Sequence, residues 1–351
     1  MTPRYAAADL ISFACKLLES AGLASDKAAV VAAILVEGDL LGHTTHGLAL
    51  LPSYLTELET GRMLRAGDPE VLSDAPAALV WDGRRLPGPW LVQQALAAAV
   101  PRARELGTST VVIRRSHHIA CLAAYLGPIA DQGLMAILTC SDPSTATVAP
   151  YGGTQGVFTP NPYAAAWPTA EGPVVFDISM SITTNGLVKR AQAEGGRLPG
   201  KWLVGPDGVA TDDPSVMSAK PSGALLPVGG LDHGHKGYAL ALLVEALTGG
   251  LAGYGRADPN EGWSATVFLQ VMDPALFGGS AAFARETGHV VAQCRANQPI
   301  PGSAGVRVPG ESGLKRRAEQ QAQGVVLHAG IMTALRSWAE RFKLTAPAAN
   351  A

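Results

Sequence analysis

Short apolar stretches with the composition of strands alternate with helical patterns from residue 77 onward, and this alternation constrains the fold most. AALVWDG, TSTVVIRR and MAILTC predict strands, whereas PWLVQQALAAAVPRARELG and CLAAYLGPIADQGL between them predict helices. Taken alone, the alternation predicts a doubly wound α/β protein with parallel strands and a bound nucleotide. However, neither GxGxxG nor GxxxxGK[ST] occurs, so a dinucleotide bound here would not use the usual glycine fingerprint.

The rest of the chain gives a coarser pattern. The N-terminal quarter predicts helices over residues 9–21, from Ser25, and from Pro52, which places GHTTHGLALL at a helix junction. HKGYALALLVEALTGGLAG predicts a buried helix, VVFDISMS and ATVFLQV predict strands, and HAGIMTALRSWAERFK predicts a closing amphipathic helix. The stretch between MAILTC and VVFDISMS is rich in Pro, Gly, Ser and Thr, and predicts a long functional loop.

Composition excludes several classes of protein. A hydrophobic content of 47% with 16% charged residues is typical of a folded globular chain. The net charge of −2 gives no electrostatic footprint for nucleic acid or an anionic membrane. The N-terminus predicts an amphipathic helix and not a signal peptide, and the four cysteines are scattered without a CxxC pair. We therefore predict a soluble protein in the reducing cytoplasm.

Histidines carry the clearest chemical signal. Six of the eight form close pairs, His43/His46, His117/His118 and His233/His235. A single pair commonly satisfies buried carbonyls, whereas three pairs favour a functional site. The HxxH and HxH spacings suit metal ligands, with Asp177 or Asp232 as a carboxylate, and would indicate a metal-dependent hydrolase or lyase. Because no complete signature such as HExxH occurs, we assign no residue to a metal.

Acid–base chemistry in a redox reaction is the second hypothesis. Hydride reduction of a ketone creates an alkoxide that must be protonated, and histidine suits this task because its ordinary pKa is near neutrality. A neighbouring hydroxyl such as that of Thr45 can orient the imidazole of His46. A lysine at the start of a helix, as in HKG, favours a bound anion such as a phosphate.

The chain resembles the type-2 malate/L-lactate dehydrogenases, which use NAD or NADP without a Rossmann fold. The resemblance runs over nearly the whole chain and is carried by GHTTHGLALLPSYL, SHHIACLAAYLGPIADQGL, VAPYGG, TPNPYAAAWP, VVFDISMSITTNGLV, LPVGGLDHGHKGYALALLVEALTGGLAG and RVPGES. It implies a mixed α/β (α+β) homodimer with a largely antiparallel cofactor-binding sheet and a helical part, in place of parallel strands. We expect residues 1–75 to form the helical part with the catalytic histidine, 76–310 the sheet domain, and 311–351 a C-terminal helical segment on the N-terminal part.

The resemblance also implies roles for particular residues. His46 is the proton donor in reduction and the acceptor in oxidation, with Thr45 as its partner, while His43 and Leu50 belong to the substrate site. The cofactor would be bound by His118, Ala120, Cys121, Leu122, Phe176, Asp177, Ile178, Ser179, His235, Lys236, Pro309, Gly310 and Glu311.

Departures from the family pattern leave the substrate open. Thr45 replaces the usual serine, Pro160 stands where GTNP has threonine, and LDHGHKG is longer than GGHKG. Leu50 occupies a position that is arginine in many members of the family. That arginine would bind a substrate carboxylate through two hydrogen bonds. Its loss argues against malate as the preferred substrate.

We expect an NAD(P)-dependent oxidoreductase that interconverts a 2-oxo acid and a 2-hydroxy acid. Three alternatives stay open: a reductase of cyclic imino acids (piperideine-2-carboxylate or pyrroline-2-carboxylate), a metal-dependent hydrolase or lyase, and a non-catalytic ligand-binding relative.

Overall fold

The computed structural model describes residues 3–260 and 262–350. Its strands are Arg4–Tyr5 (β1), Glu70–Ala75 (β2), Ala78–Asp82 (β3), Thr108–Ser116 (β4), Met135–Ser141 (β5), Pro162–Trp167 (β6), Val174–Ser179 (β7), Leu203–Val204 (β8), Ala210–Thr211 (β9), Ala224–Leu225 (β10), Ala265–Met272 (β11) and Val325–Val326 (β12). Its helices are Ala7–Ser20 (α1), Ser25–Leu41 (α2), Leu51–Glu59 (α3), Gly88–Leu106 (α4), Ala123–Ala130 (α5), Asn185–Ala193 (α6), Gly230–His233 (α7), His235–Glu245 (α8), Ser280–Arg295 (α9), Glu311–Gln323 (α10) and Ile331–Phe342 (α11).

The main sheet of the described chain has the strand order β2-β3-β4-β11-β5-β6-β7. Strands β3 and β4 pair in parallel through the α4 crossover, and every other neighbouring pair in this sheet is antiparallel. Strands β3, β4 and β5 do run in the same direction, as the alternation predicts. However, β11 inserts antiparallel between β4 and β5, so that Leu269 faces Val111 on one side and Leu138 on the other. The doubly wound parallel prediction is therefore wrong, and the mixed, largely antiparallel non-Rossmann fold is confirmed.

Two local predictions are also wrong. The predicted long loop contains β6, which pairs with both β5 and β7 through the run of alanines 164–166. The predicted buried helix is α8, but its leucines at positions 240, 242 and 243 are largely exposed on the chain. The opposite face of the helix, with Gly237, Ala241 and Val244, is buried against the chain, whereas no described part of the same chain covers the leucine face.

The helical part is built around α1, α2 and α3. Leu10, Leu17 and Leu35 are fully buried where α1 packs on α2, and α11 packs against α1 and α3. Strands β1 and β12 pair through Arg4 and Val326, while α10 packs along α2. These contacts place the segment between α2 and α3 on a rigid base. The division of the chain at 75/76 and 310/311 stays a prediction.

Among the described residues, no helix combines the length and the apolar character needed to cross a membrane.

Candidate active site

The GHTTHG segment is a short loop that lies directly on the end of α2. Gly42 ends α2 in the left-handed conformation (φ 90°) and turns the chain back over the helix. A Cβ atom at Gly38 would lie 2.9 Å from the carbonyl oxygen of His46, so glycine is required for this close approach. Asp39, one residue further along α2, accepts a hydrogen bond from the backbone N–H of Leu48 at 2.7 Å. Two successive residues of α2 therefore contact the end of the loop: Gly38 at His46 and Asp39 at Leu48.

Burial makes Asp39 an unusual carboxyl group. Its side chain is 1% exposed, and its Oδ1 atom has no hydrogen-bond partner among the described residues. Burial raises the pKa of Asp39 to about 7, although the Leu48 N–H and the charge of Arg190 act in the opposite direction. A titrating group therefore lies under the peptide that follows His46.

His46 is oriented by its neighbour in the sequence. Thr45 Oγ1 lies 2.9 Å from Nδ1 of His46, which leaves Nε2 as the ring nitrogen available to a substrate. Burial lowers the pKa of His46, the charge of Asp177 raises it, and His43 lowers it further. His46 is therefore a neutral base at neutral pH, with a carboxylate near enough to stabilise the imidazolium formed when it takes up a proton.

The ring of His118 stacks on that of His46, with ring centroids 6.0 Å apart and an interplanar angle of 26°. Ala120 N–H donates to His118 Nδ1 at 3.2 Å, and the Tyr54 hydroxyl lies 2.9 Å from the same nitrogen. Because Nδ1 accepts, the proton of the neutral His118 ring is on Nε2. The ring of Trp263 also packs on His118, with ring centroids 4.5 Å apart. Burial holds the pKa of His118 well below its usual value, so an uncharged imidazole forms this side of the site.

Asp177 joins the sheet to the start of α5. Its Oδ2 atom accepts the backbone N–H of Ala123 at 3.0 Å and lies 3.7 Å from the thiol of Cys121. The carboxylate therefore caps the first turn of α5, where a negative charge is favoured. This contact fixes the 120–123 segment beside β7.

A cavity of about 400 Å³ opens beside Asp177 and His43, within the size range of ligand sites. It lies between α2, α5, β7 and the start of α10. Of the predicted site residues, it is lined by His43, Phe176, Asp177, Ile178, Pro309 and Gly310. Gly310 is required here, because it has a φ of 93° and a Cβ would lie 2.7 Å from the carbonyl oxygen of Val175.

The cavity lining fits a nicotinamide dinucleotide. Arg316 and Arg317 would supply cations for phosphates, with Arg317 paired to Glu37 in the same lining, and Ala124 and Pro128 of α5 would supply apolar surface for a ring.

Other predicted residues lie at the edge of this site. His235 and Lys236 are exposed at the start of α8, where His235 packs edge-on against Tyr151, 5.7 Å between ring centroids. Ser179 donates to the carbonyl of Ser181 at 2.7 Å. Glu311 at the start of α10 pairs with Arg295, with Oε1 2.8 Å from Nε. None of these four side chains lines the cavity.

The three histidine pairs take different roles. His117 is fully buried, with Nε2 3.5 Å from Oε2 of Glu57, while its neighbour His118 lines the His46 site. Within the described residues, no group of side chains that could hold a metal contains two histidines. The histidines that are paired in the sequence therefore do not act as pairs of metal ligands in the described structure.

Sequence reasoning missed Asp39 and Arg190. Arg190 on α6 donates through Nη1 to Thr44 Oγ1 and through Nη2 to the Thr44 carbonyl, both at 3.1 Å. It has no carboxylate within ion-pair distance among the residues that the structure describes. Asp39 could have been noticed as an acid within the apolar run ILVEGDLLG, whereas nothing in the sequence links Arg190 to the histidine loop.

This fold and site define an oxidoreductase-like architecture, and comparison with known proteins gives the family. The malate/L-lactate dehydrogenase family model matches residues 5–336, and the chain belongs to that family.

Curated relatives with different activities match over most of their length. The Δ1-pyrroline-2-carboxylate reductase of Ancylobacter novellus is 30% identical, over 92% of this chain and 94% of the relative. The L-lactate dehydrogenase of Cupriavidus necator is 33% identical, over 86% of this chain and 88% of the relative. The malate dehydrogenase structure from Entamoeba histolytica has a TM-score of 0.92 with 21% identity, covering 98% of this chain and 99% of that one, which shows the shared fold.

Proposed function

We propose that the protein is a cytoplasmic NAD(P)-dependent oxidoreductase that interconverts a 2-oxo acid and a 2-hydroxy acid. The observation that carries this proposal is His46, whose Nδ1 atom is engaged by Thr45 at 2.9 Å. The free Nε2 atom then exchanges a proton with the substrate oxygen. When bound, the nicotinamide supplies or accepts the hydride.

The residues around His46 divide the remaining work. In the oxidation direction, neutral His46 takes the hydroxyl proton, and the carboxylate of Asp177 stabilises the resulting imidazolium. In the reduction direction, the same imidazolium returns the proton to the oxygen. The ring of His118, itself packed against Trp263, covers one side of the imidazole.

Arg190 is the cation we assign to the substrate carboxylate. Leu50 offers no charge at the position where the family pattern has an arginine. Arg190 reaches the GHTTHG loop just before Leu50 from α6, and it has no ion-pair partner among the described residues. A guanidinium of this kind suits a carboxylate, which it can bind through two parallel hydrogen bonds.

A reductase of cyclic imino acids is the second candidate, and the 30% identical pyrroline-2-carboxylate reductase favours it. Both reactions place a hydride on a carbon next to a carboxylate, so the same residues would serve both. Nothing in the family match favours a metal-dependent hydrolase or lyase.

Exposed leucines on and after α8 support a homodimer. Leu240, Leu242 and Leu243 are 44%, 47% and 46% exposed, and Leu251 beyond them is 55% exposed. A group of exposed large apolar side chains of this kind is typical of a subunit interface. We expect light scattering after size-exclusion chromatography to give twice the chain mass, and Leu243→Glu to shift the protein towards the monomer.

The decisive experiment follows NADH and NADPH absorbance with a panel of 2-oxo acids and cyclic imines. We expect turnover with at least one substrate class and one cofactor, and its loss in His46→Ala. Absence of turnover in the wild-type protein with every substrate of the panel and both cofactors would overturn the proposal.

A further inference from the structure

The thiol of Cys121 has no part in the proposed reaction, although it lies inside the site. Cys121 is 1% exposed, and its Sγ atom lies 3.7 Å from Oδ2 of Asp177. Burial and the charge of Asp177 hold the pKa of this thiol well above its usual value, so the sulfur stays protonated while no cation is near. The proposed reaction therefore does not explain why the thiol of Cys121 lies buried beside the carboxylate of Asp177.

His43 completes a cluster with these two side chains. A ring nitrogen of His43, the sulfur of Cys121 and a carboxylate oxygen of Asp177 all lie within 4.8 Å of one another. The three donors come from three separate elements: the loop after α2, the segment before α5, and strand β7. Among the described residues, this is the group of histidine, cysteine and acidic side chains that could hold a metal ion.

The donor atoms match one class of cation. Tetrahedral zinc has a metal–sulfur distance of about 2.3 Å and a metal–nitrogen distance of about 2.0–2.1 Å, which places neighbouring ligands roughly 3.5 Å apart. Small rotations of the half-buried His43 and Asp177 side chains would close the cluster to that size. A thiolate with an imidazole selects zinc and similar soft or borderline ions over magnesium or calcium.

We propose that His43, Cys121 and Asp177 form an inhibitory binding site for zinc or a similar divalent ion. The metal binds the sulfur as the S–H bond breaks and its proton leaves to solvent, with no change of oxidation state. His43 and Asp177 line the cavity, so an ion held between them and Cys121 would lie at the cavity wall.

We expect a bound metal to inhibit the enzyme because it would engage Asp177. The bound ion would neutralise the Asp177 carboxylate that stabilises protonated His46, and it would occupy two side chains of the cavity wall. This consequence rests on the proposed function, whereas metal binding does not.

Cobalt(II) titration of the reduced full-length protein tests the site directly. We expect one equivalent per chain with near-ultraviolet thiolate-to-cobalt charge-transfer absorption, displaced by Zn²⁺ and absent with Mg²⁺. Cys121→Ser should abolish this absorption and weaken Zn²⁺ binding by at least ~10-fold, since a missing ligand costs no less than a missing outer-sphere contact. Persistence of the band in Cys121→Ser would overturn the proposal.

The exposed Cys294 provides the matched control. Cys294→Ser should keep the full band and affinity, and loss of the band in that variant would assign the metal to the surface and overturn the proposal. His43→Gln gives a second test that leaves the thiol in place. It should weaken cobalt binding by ~10-fold or more, and unchanged affinity would also overturn the site.

Turnover separates this site from the proposed function. Wild-type activity should fall with Zn²⁺ and return with a chelator. Cobalt binding in a protein without turnover on any substrate would support the metal site and overturn the oxidoreductase proposal. Turnover without stoichiometric cobalt binding would do the reverse.

Discussion

The carboxyl group of Asp39 fills the space where residue 47 would have a side chain. A Cβ atom at Gly47 would lie 2.4 Å from the Asp39 carboxyl carbon, far inside van der Waals contact. Because Gly47 directly follows His46, the close approach of the Asp39 carboxyl group to Gly47 sets the distance between the proposed catalytic histidine and α2.

Gly47→Ala should therefore displace His46 and disable the site. We expect kcat to fall by ~10²-fold, the cost of a misplacement of about 1 Å, and stability to fall by about 1–3 kcal/mol, typical of overpacking. Gly288→Ala on α9 is the control, because no atom of the described residues lies within 4 Å of its added Cβ. Wild-type kcat in Gly47→Ala would show that the loop tolerates the shift.

Asp39 should make stability depend on pH. Its pKa is raised from 3.8 to about 7 in the folded protein, so the folded state binds the proton more tightly than the unfolded one. The resulting stabilisation is complete below about pH 4 and is lost as pH rises through about 7. At ~1.4 kcal/mol per pKa unit, the change is on the order of 4 kcal/mol.

Asp39→Asn should remove this dependence while its amide oxygen still accepts the Leu48 N–H. The free energy of unfolding in denaturant, measured between pH 4 and pH 8, should fall more steeply in the wild type than in the variant. Parallel curves for the two proteins would place the titration elsewhere.

The Thr45–His46 contact should matter through its hydroxyl. His46→Ala should cut turnover by ~10²–10⁴-fold, the usual worth of a general acid or base, with cofactor affinity nearly unchanged. Thr45→Val should lower kcat because it removes the oxygen 2.9 Å from Nδ1, whereas Thr45→Ser keeps it. Equal activity of the valine and serine variants, in steady-state assays on the best substrate, would remove Thr45 from the mechanism.

The sequence predicted those features that depend on residues close to one another along the chain. The directions of β3, β4 and β5 follow from apolar runs separated by helices, and Thr45 lies next to His46 by covalent connection. The insertion of β11 could not be predicted, because β4 accepts an antiparallel partner as readily as a parallel one. Strand β6 could not be predicted because it begins at Pro162, is followed by Pro168 and has an interior that is mostly alanine. Cys121 and Asp177 were predicted for the cofactor, but their approach to His43 depends on three distant elements.

Arg190 gives the sharpest test of how this chain binds a carboxylate without an arginine at position 50. Arg190→Met should raise KM for 2-oxo acids by ~10–10²-fold, because a charged hydrogen bond contributes about 1.5–3 kcal/mol. Cofactor affinity should stay unchanged. Lys189→Met, one residue earlier on the exposed face of α6, is the matched control and should leave KM at its wild-type value. If the carboxylate depends on charge at this loop, Leu50→Arg in the Arg190→Met background should restore part of the affinity. A KM that does not respond to Arg190→Met would assign the carboxylate to another group.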